Sequence, residues 1–446
     1  MIKVFSSYKL WGVGLACFYA LTGYAETSSN ITPVTDPNTS STVINIDQGT
    51  HQAQKIAIAN FSYAPGVNIQ NKLETIIGAD LQNTGIFAPV YAQNFPQDMN
   101  TPINPNVWNQ AGVFYLVTGA VSPAGQGYKL DYNLYDMSGA ICPVGQACIS
   151  RSVTYTPGDQ RKLAHAAADS VFTAITKKLS DFLTKIAYVQ QPIAGVNEYN
   201  LYIADYDGYN AKKIYTSSKP ILSPDWSPDN SNLAFVTYTT FSSVIMQYNL
   251  ASGRVYTVVN RLGNSSAPAY SADGNYLAYV YGNNGKFDIY LRNLKNNSER
   301  NLTNGAGRNS EPAWYGNSLI FTSDRGGNAA IYQMDLGSGQ AYRISRTSGQ
   351  TTNADVSYSA KTMVFINRDR ITAQDLTTGK TTALSSTYLD EGLTLSPNGQ
   401  MVIYSSTVGN NKRLNLISID GYNRVTLPLT QGSYSNAAWS NAVTNP

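Results

Sequence analysis

The chain has 446 residues, a net charge of +3 and only 13% charged residues, with no basic run. This balance argues against a nucleic-acid-binding protein. The length exceeds what a single core of ordinary size fills, so two or more domains are expected, and 32 Tyr with 35 Gly are typical of a turn-rich β protein.

The first 25 residues are typical of a secretory signal peptide. Lys3 and Lys9 flank the start of an apolar stretch at residues 10–20, and small residues precede the expected cleavage after Ala25. No later apolar run reaches the roughly 20 residues that a membrane-spanning helix needs. We therefore expect a mature protein in an extracytoplasmic space that does not span a membrane.

Residues 26–42 are rich in Ser, Thr, Asn and Pro, which predicts a disordered tether. The alternating segment behind the tether predicts a β-strand. That strand either begins the next domain or pairs with a partner protein. Its residues are Val43, Ile44, Asn45, Ile46 and Asp47.

Residues 43–183 predict an N-terminal α/β domain. An apolar strand is followed by a helix at residues 69–84, because apolar residues there fall on one helical face, and Gly85 is expected to end it. Three further strands follow. A long amphipathic helix is predicted at residues 159–183, with Leu179 in its apolar stripe.

Two cysteines remain after the signal peptide, Cys142 and Cys148, and five residues separate them. In an oxidising compartment they can close a small loop as a disulfide. A zinc site is not expected, because His51 and His165 are the only histidines and neither has ligand spacing from the cysteines. The sequence predicts no metal site and no cofactor.

A repeated pattern dominates the chain after residue 220. Each copy joins an aromatic or apolar residue, a turn of the Ser-Pro-Asp-Gly type and a short apolar strand. Successive copies lie 44, 44, 42, 39 and 44 residues apart. A period near 40 that is built from short strands is typical of a β-propeller blade. The copies begin at Trp226, Tyr270, Trp314, Val356, Leu395 and Trp439.

The last copy, at Trp439, lacks a second strand behind it. Residues 186–189 read IAYV, match the second strands of the other copies and precede a third-strand segment at residues 201–208. We therefore predict that residues 184–441 form an all-β six-bladed β-propeller with WD-like repeats, whose last blade combines both ends of the domain. Sharing a blade in this way leaves no open edge strands in the ring.

Several strings resemble the TolB family, a periplasmic component of the Tol-Pal system of Gram-negative bacteria. They include ADLQNTGIF, KIAYVQQ, SPDWSPDNSNLAFVTY, NSEPAWYGNSLIFTSDRGG and LDEGLTLSPNGQMVIYSS, and the resemblance covers residues 43–440. It implies a periplasmic, monomeric binding protein that docks the lipoprotein Pal at the propeller mouth and engages TolA through its N-terminal strand. Such a protein supports outer-membrane integrity and constriction during cell division. Colicin-like toxins are further partners that the resemblance suggests.

The Pal-binding residues are placed by two arguments. Loops that enter the innermost strands of a propeller converge on one face around the channel, and the family's Pal contacts cluster in motifs that match SSAPAY, NSEPAW, NADVS and LDE here. The alternative is that these polar residues only cap strand entries and turns. The candidates are Asn264, Ser265, Ala267, Ser310, Glu311, Asp355, Asp390, Glu391 and Asn436.

The sequence also bears on functions other than partner binding. A serine peptidase of the prolyl-oligopeptidase type is not expected, because the chain has no G-x-S-x-G elbow and no segment for a hydrolase domain after the repeats. Asp205-Tyr-Asp207-Gly208 resembles the start of a calcium loop, but it lacks the later ligands and favours a hairpin turn. A propeller that binds another envelope protein or a glycan remains the alternative.

Overall fold

The computed structural model describes residues 53–193, 195–385 and 391–442. Within these ranges the chain forms an α/β domain followed by a β-propeller. Asp390 and the segments predicted as signal peptide, tether and strand at Val43 to Asp47 lie outside the described residues. In this part of the chain no helix is long and apolar enough to cross a membrane.

The α/β domain is built on one mixed sheet. Its elements are β1 (Gln54–Ile58), β2 (Ser62–Tyr63), α1 (Leu73–Asn83), β3 (Phe87–Tyr91), α2 (Pro105–Gln110), β4 (Val113–Ala124), β5 (Gly127–Asp136), β6 (Ala147–Tyr155) and α3 (Gln160–Thr176), with 3-10 turns at Ala92–Asn94 and Pro157–Asp159. The strand order is β3-β1-β4-β5-β6, and β2 pairs with β4. β1 runs parallel to β3 and β4, whereas β4, β5 and β6 form an antiparallel meander. The predicted disulfide between Cys142 and Cys148 is present before β6 and at its start, with the two Cα atoms 5.4 Å apart.

Both long helices are shorter than the sequence predicted. α1 begins at Leu73 instead of residue 69, and Gly85 follows its end with a φ of 74°. α3 ends at Thr176 instead of residue 183, because Lys177 turns into the left-handed region with a φ of 60° and its N–H bonds to the Thr173 carbonyl. The prediction for the last turns of α3 was therefore wrong, and Leu179 is 67% exposed.

The helices α1 and α3 pack together on one face of the sheet. Ile77 and Leu81 of α1 and Val171 and Phe172 of α3 are fully buried. The same apolar cluster continues into the propeller and includes Trp439. The two domains therefore share one hydrophobic core, and the burial that stabilises the helices also fixes the domain onto the ring.

The propeller strands follow in a regular series. In chain order they are β7 (Lys185–Gln191), β8 (Tyr199–Asp205), β9 (Lys212–Ser217), β10 (Leu222–Trp226), β11 (Asn232–Tyr238), β12 (Ser243–Asn249), β13 (Val255–Val259), β14 (Asn264–Tyr270), β15 (Tyr276–Asn283), β16 (Lys286–Asn293), β17 (Glu299–Asn301), β18 (Asn309–Tyr315), β19 (Ser318–Ser323), β20 (Ala330–Asp335), β21 (Ala341–Arg343), β22 (Thr351–Ser357), β23 (Thr362–Asn367), β24 (Arg370–Asp375), β25 (Thr381–Ala383), β26 (Glu391–Leu395), β27 (Met401–Val408), β28 (Asn411–Ser418), β29 (Arg424–Thr426) and β30 (Ser433–Trp439).

Four of the propeller sheets in the described ranges have four strands each, and one has eight. The eight-stranded sheet consists of two antiparallel halves, β10–β13 and β14–β17, which a parallel pairing between Ser243 and Asn264 joins. We name the four-stranded groups unit I (β10–β13), unit II (β14–β17), unit III (β18–β21), unit IV (β22–β25), unit V (β26–β29) and unit VI (β30, β7, β8, β9).

Unit VI closes the ring as the sequence predicted. β30 pairs with β7, which places Trp439 opposite Ile186 and Ala438 opposite Ala187. The inner strands β10, β14, β18, β22, β26 and β30 contact one another in this order, and β30 contacts β10. The ring is therefore continuous, and both ends of the propeller segment are held by one sheet.

The ring has two faces, which we call the mouth and the base. The inner strands begin at the mouth and end at the base. The turn after β26 lies at the base, and there the Asp181 carboxylate accepts the Asn398 backbone N–H at 3.1 Å. Close by, the Trp439 indole N–H donates to the Thr184 hydroxyl at 2.7 Å. The α/β domain therefore covers the base of units V and VI, on the side of the ring opposite the mouth.

Candidate partner-binding face

A bulge interrupts every inner strand just inside the mouth. In each strand one residue has a φ between 45° and 58°, and the pairing with the second strand shifts register there. A bulge changes the direction in which the following side chains point. The residues with positive φ in the six described inner strands are Ser223, Ala267, Glu311, Asn353, Gly392 and Asn436.

Two of these bulge residues fasten their unit to the next one. The Glu311 carboxylate accepts the backbone N–H of Asn353 in unit IV at 2.6 Å, and it also accepts the Thr322 hydroxyl at 2.8 Å. In the same way the Asn436 side-chain oxygen accepts the backbone N–H of Ser223 in unit I at 3.3 Å. We call such inter-unit contacts clips.

Three other clips start two residues after the bulge. The Asp225 carboxylate accepts the backbone N–H of Tyr270 at 2.7 Å. The Asp355 carboxylate accepts the backbone N–H of Leu395 at 2.8 Å. The Thr394 hydroxyl accepts the backbone N–H of Trp439 at 3.1 Å. These contacts join unit I to II, unit IV to V and unit V to VI.

Tryptophan indoles supply further clips. The Trp314 N–H donates to the Ala269 carbonyl at 3.0 Å and joins unit II to unit III. In unit II the bulge residue and the residue two positions after it are both alanine, so neither side chain can form a clip. The Trp226 N–H donates to the Ala438 carbonyl at 3.1 Å. Every junction of the ring therefore contains a hydrogen bond between neighbouring inner strands, which satisfies polar groups that the channel wall would otherwise bury.

The predicted Pal residues differ in their exposure at the mouth. Asn264 and Glu391 are exposed, and Ser310 is half-buried. Ser265 is fully buried, and Ala267 offers no polar group.

Glu311, Asp355 and Asn436 are engaged in clips between neighbouring units. These three side chains are half-buried and already hold neighbouring units together, whereas Asn264 and Glu391 are exposed. A role in Pal binding stays a prediction for every member of the set, Asp390 included.

The channel wall carries two acidic residues, of which the sequence analysis selected Asp355 and missed Asp225. Burial raises the pKa of Asp225 to about 7, and the negative charge of Asp355 adds to the effect. Burial likewise raises the pKa of Asp355. The two residues belong to units I and IV. Their shared position directly before the aromatic or apolar repeat residue was the sequence signal that could have revealed both as one structural feature.

The mouth also presents apolar side chains that the sequence analysis did not select. Phe241 lies in the hairpin between β11 and β12 and is 85% exposed. Leu262 lies before β14 and is 80% exposed. The Ser243 hydroxyl, next to the hairpin of unit I, donates to the Ser265 carbonyl of unit II at 2.8 Å. Phe241 and Leu262 therefore both lie near the start of the strand that begins at Asn264. Exposed large apolar residues of this kind mark protein-contact surfaces when they cluster.

The exposed charges at the mouth are mostly basic. Among the described residues at the mouth, Glu391 is an exposed acidic side chain, and it forms an ion pair with Lys412. A positively charged rim raises the rate at which an acidic partner surface associates. The exposed basic residues are Lys219, Lys286, Arg308, Arg346, Arg368 and Arg370.

One buried cluster has the composition of a metal site. Ligand-type atoms of Asp80, His165 and Asp207 lie within 4.8 Å of one another. However, Arg161 forms an ion pair with Asp207, and the Tyr206 hydroxyl donates to Asp80 at 2.6 Å. A guanidinium beside the carboxylate opposes a bound cation, so this arrangement favours a network of hydrogen bonds over a metal site.

Comparison with known sequences decides the family. The profile described as "TolB amino-terminal domain" matches residues 42–140, and the profile described as "TolB beta propeller domain" matches residues 172–443. The "Tol-Pal system protein TolB" of Actinobacillus succinogenes is 39% identical over 398 residues, which are 89% of this chain and 92% of that protein. The chain belongs to the TolB family. A second TolB, from Actinobacillus pleuropneumoniae serotype 5b, is 38% identical over 90% of this chain and 93% of its own length.

A solved TolB structure gives the same assignment. The crystal structure of TolB from Acinetobacter baumannii superposes with a TM-score of 0.78 at 32% identity, and it covers 88% of this chain and 97% of that chain. The resemblance that the sequence strings indicated is thus confirmed. The TolB relatives are named for a component of the Tol-Pal system and not for an enzymatic activity.

Proposed function

We propose that this protein is the periplasmic interaction component of a Tol-Pal system, which binds Pal at the mouth and TolA through Val43 to Asp47. The observation that carries the proposal is membership of the TolB family over about nine tenths of the chain. The position of the mouth supports it, because the described part of the α/β domain occupies the other face of the ring. In this proposal the protein acts as a monomer without a cofactor or catalytic activity, and it supports outer-membrane integrity during division.

The finer architecture belongs to the same proposal. We take each half of the eight-stranded sheet as a separate blade, since the halves share a parallel pairing only at Ser243 and Asn264. Units I to VI are then six blades. The boundaries at residues 25, 42, 183 and 441 remain predictions, as does export to the periplasm after cleavage of the signal peptide.

Pal binding is tested by calorimetry with the mature protein, residues 26–446, and the soluble domain of Pal from the same organism. Asn264→Arg places a bulky cation on the exposed mouth and should abolish measurable binding. Asn317→Arg is the matched control, because Asn317 is also exposed but lies in the turn after β18, at the base. Equal loss in both variants, or binding that Asn264→Arg leaves intact, would contradict the mouth as the Pal site.

Glu311→Lys is a poor test of the same contact. Glu311 clips unit III to unit IV, so a loss of binding in this variant would not separate a Pal contact from a loosened ring. Asn264 does not have this disadvantage, because its side chain is exposed.

TolA binding is tested by deletion of residues 43–47. An alternating apolar segment can add a strand to a partner sheet, so the deletion should abolish TolA capture and leave Pal affinity unchanged. Retained TolA capture would remove this segment from the proposal. If the folded wild-type protein binds neither partner, the alternative of another envelope protein or a glycan is favoured.

A further inference from the structure

A buried group of ionisable side chains lies where the α/β domain meets unit VI. Asp80 belongs to α1, His165 and Arg161 belong to α3, and Asp207 with its neighbour Tyr206 follows β8 of the ring. We call these five residues the joint cluster. Asp80 and His165 are 1% and 2% exposed. Ionisable groups are rarely buried to this extent unless they are paired.

The hydrogen bonds of the cluster cross the domain boundary. Asp80 accepts the Tyr206 hydroxyl at 2.6 Å through one carboxylate oxygen, and its other oxygen lies 2.8 Å from His165 Nδ1. Arg161 forms an ion pair with Asp207 and lies over the Tyr209 ring, 3.8 Å from its centre. Three of these four contacts therefore connect α1 or α3 to the propeller.

The His165 ring is held between two carboxylates. Because Asp80 can only accept while it is ionised, the proton of that hydrogen bond lies on Nδ1. The other ring nitrogen, Nε2, is buried without a hydrogen-bond partner among the described residues and lies 3.9 Å from an Asp207 oxygen. In a neutral ring with this tautomer, Nε2 would present a lone pair to a carboxylate. A second proton on Nε2 changes this repulsion into attraction.

Charge balance favours the same protonation state. Asp80 and Asp207 contribute two negative charges, and Arg161 contributes one positive charge. A neutral His165 leaves one negative charge uncompensated in a buried site, which is costly, whereas an imidazolium brings the sum to zero. Asp205 lies 3.9 Å from Arg161 Nε and also pairs with the half-exposed Lys185, so Asp205 and Lys185 together leave the sum unchanged.

The pKa of His165 agrees with the geometry. Burial lowers it, but the carboxylates of Asp80 and Asp207 raise it by more, although Arg161 opposes them, so it lies above its ordinary value of 6.5. A raised pKa in the folded state stabilises the fold fully below pH 6.5, and this contribution is lost as the pH rises through the folded value. Burial also raises the pKa of Asp207, although the charges of His165 and Arg161 oppose that rise. The attraction at the joint should therefore be strongest where His165 is protonated and Asp207 is still ionised, and it should weaken as the pH rises through the pKa of His165.

We propose that His165 is a proton-dependent fastener between the α/β domain and the propeller. When the ring carries both protons, it attracts Asp207 of unit VI and Asp80 of α1 at the same time. When it loses the Nε2 proton, the attraction to Asp207 ends and only the Arg161 pair holds that carboxylate. The inference concerns the joint itself and does not depend on which partners the protein binds.

The first test is an NMR titration of the histidine rings, from pH 5 to 9 on the scale where imidazoles titrate. The chain contains only two histidines, so His51→Gln leaves the His165 ring as the single imidazole signal. We expect its midpoint above the ordinary histidine value. Asp207→Asn should lower that midpoint by about 1 unit, since an opposite charge at this range shifts a pKa by about 1–3 units. A midpoint at or below the ordinary value, or one that Asp207→Asn leaves unchanged, would overturn the proposal.

The second test measures the joint by hydrogen exchange, corrected for the intrinsic pH dependence of amide exchange. In the wild type, peptides that contain α1 and the turn after β8 should exchange faster above the His165 midpoint than below it. His165→Gln should remove this difference, and His51→Gln should retain it. A difference that persists in His165→Gln would show that another group controls the joint. If His165→Gln does not fold, the titration of the Asp207→Asn protein still decides the question.

Discussion

The clip at Glu311 makes a quantitative prediction about the ring. Its carboxylate accepts two donors, the Asn353 N–H at 2.6 Å and the Thr322 hydroxyl at 2.8 Å. Glu311→Ala leaves both donors without this acceptor. Hydrogen bonds to charged groups contribute about 1.5–3 kcal/mol each, but Glu311 is half-buried and water can replace part of the loss. We therefore expect a total cost of about 2 kcal/mol.

The cost should appear locally, at the junction of units III and IV. A loss of about 2 kcal/mol corresponds to a roughly 30-fold faster exchange of the Asn353 amide if it exchanges through local opening. Glu311→Gln keeps an acceptor of the same shape and loses only the charge, so we expect about 1 kcal/mol and a roughly fivefold change. Hydrogen exchange of the peptide that contains β22 measures both variants.

A control variant at the base tests whether the Glu311 carboxylate fastens the two units. Asn317→Ala, at an exposed turn of the base, should leave the exchange of β22 unchanged. If Glu311→Ala exchanges like Asn317→Ala at the Asn353 amide, the carboxylate does not fasten the two units. If Gln and Ala lose the same amount, the charge and not the acceptor geometry holds the junction.

Two further predictions concern buried charge and close packing. A carboxyl whose folded pKa is raised to about 7 favours the folded state only while it is protonated, so the unfolding free energy of the wild type should fall between about pH 4 and 7. Asp225→Asn should remove this fall. The variant should therefore be more stable than the wild type above pH 7. A rise of the pKa from 3.8 to about 7 would correspond to about 4 kcal/mol, but Asp225 is partly exposed, so we expect about 2 kcal/mol after solvent screening. Urea unfolding at several pH values measures the difference, and a parallel pH profile for both proteins would contradict it. Gly85→Ala should destabilise the protein by about 2 kcal/mol or more, since its φ is 74° and a Cβ would lie 2.7 Å from Ser418 of unit V. Gly66→Ala is the control, with a φ of 86° and no atom within 4 Å of the added Cβ, so thermal unfolding that shifts equally in both variants would reject the contact with unit V.

Much of the fold was predictable because the repeat fixes it. The aromatic or apolar residue at each repeat start is the last or the penultimate residue of an inner strand. The missing second strand after Trp439 identified Ile186 as its partner. The helices were predicted less well at their ends. Apolar spacing continues past Thr176 to Leu179, but the backbone of Lys177 already leaves the helix, and side-chain pattern does not report backbone conformation.

The mouth was harder to predict than the fold. Polar residues at strand entries look alike in sequence, whether they face a partner or the neighbouring unit. The bulge decides between these directions, because it turns Glu311 and Asn436 toward the next inner strand and leaves Asn264 exposed. A bulge carries no strong sequence signal when its residue is Ser, Ala or Glu instead of Gly.

The clips also explain why the six repeats tolerate different residues at the same position. The residue before the repeat's aromatic or apolar position is Asp, Thr or Ala. Where it is Ala, the side chain of the bulge residue or a tryptophan indole forms the hydrogen bond between the two units instead. The junction of units II and III has Ala267 and Ala269 at both clip positions, so the Trp314 indole supplies the described hydrogen bond between its inner strands. Asn264 and Ser310 flank this same junction at the mouth. Asn309 of unit III also donates to the Phe287 carbonyl of unit II at 3.1 Å beside these residues. A partner that contacts both Asn264 and Ser310 would add a further connection across this junction, so we expect binding at the proposed Pal surface to stabilise the propeller.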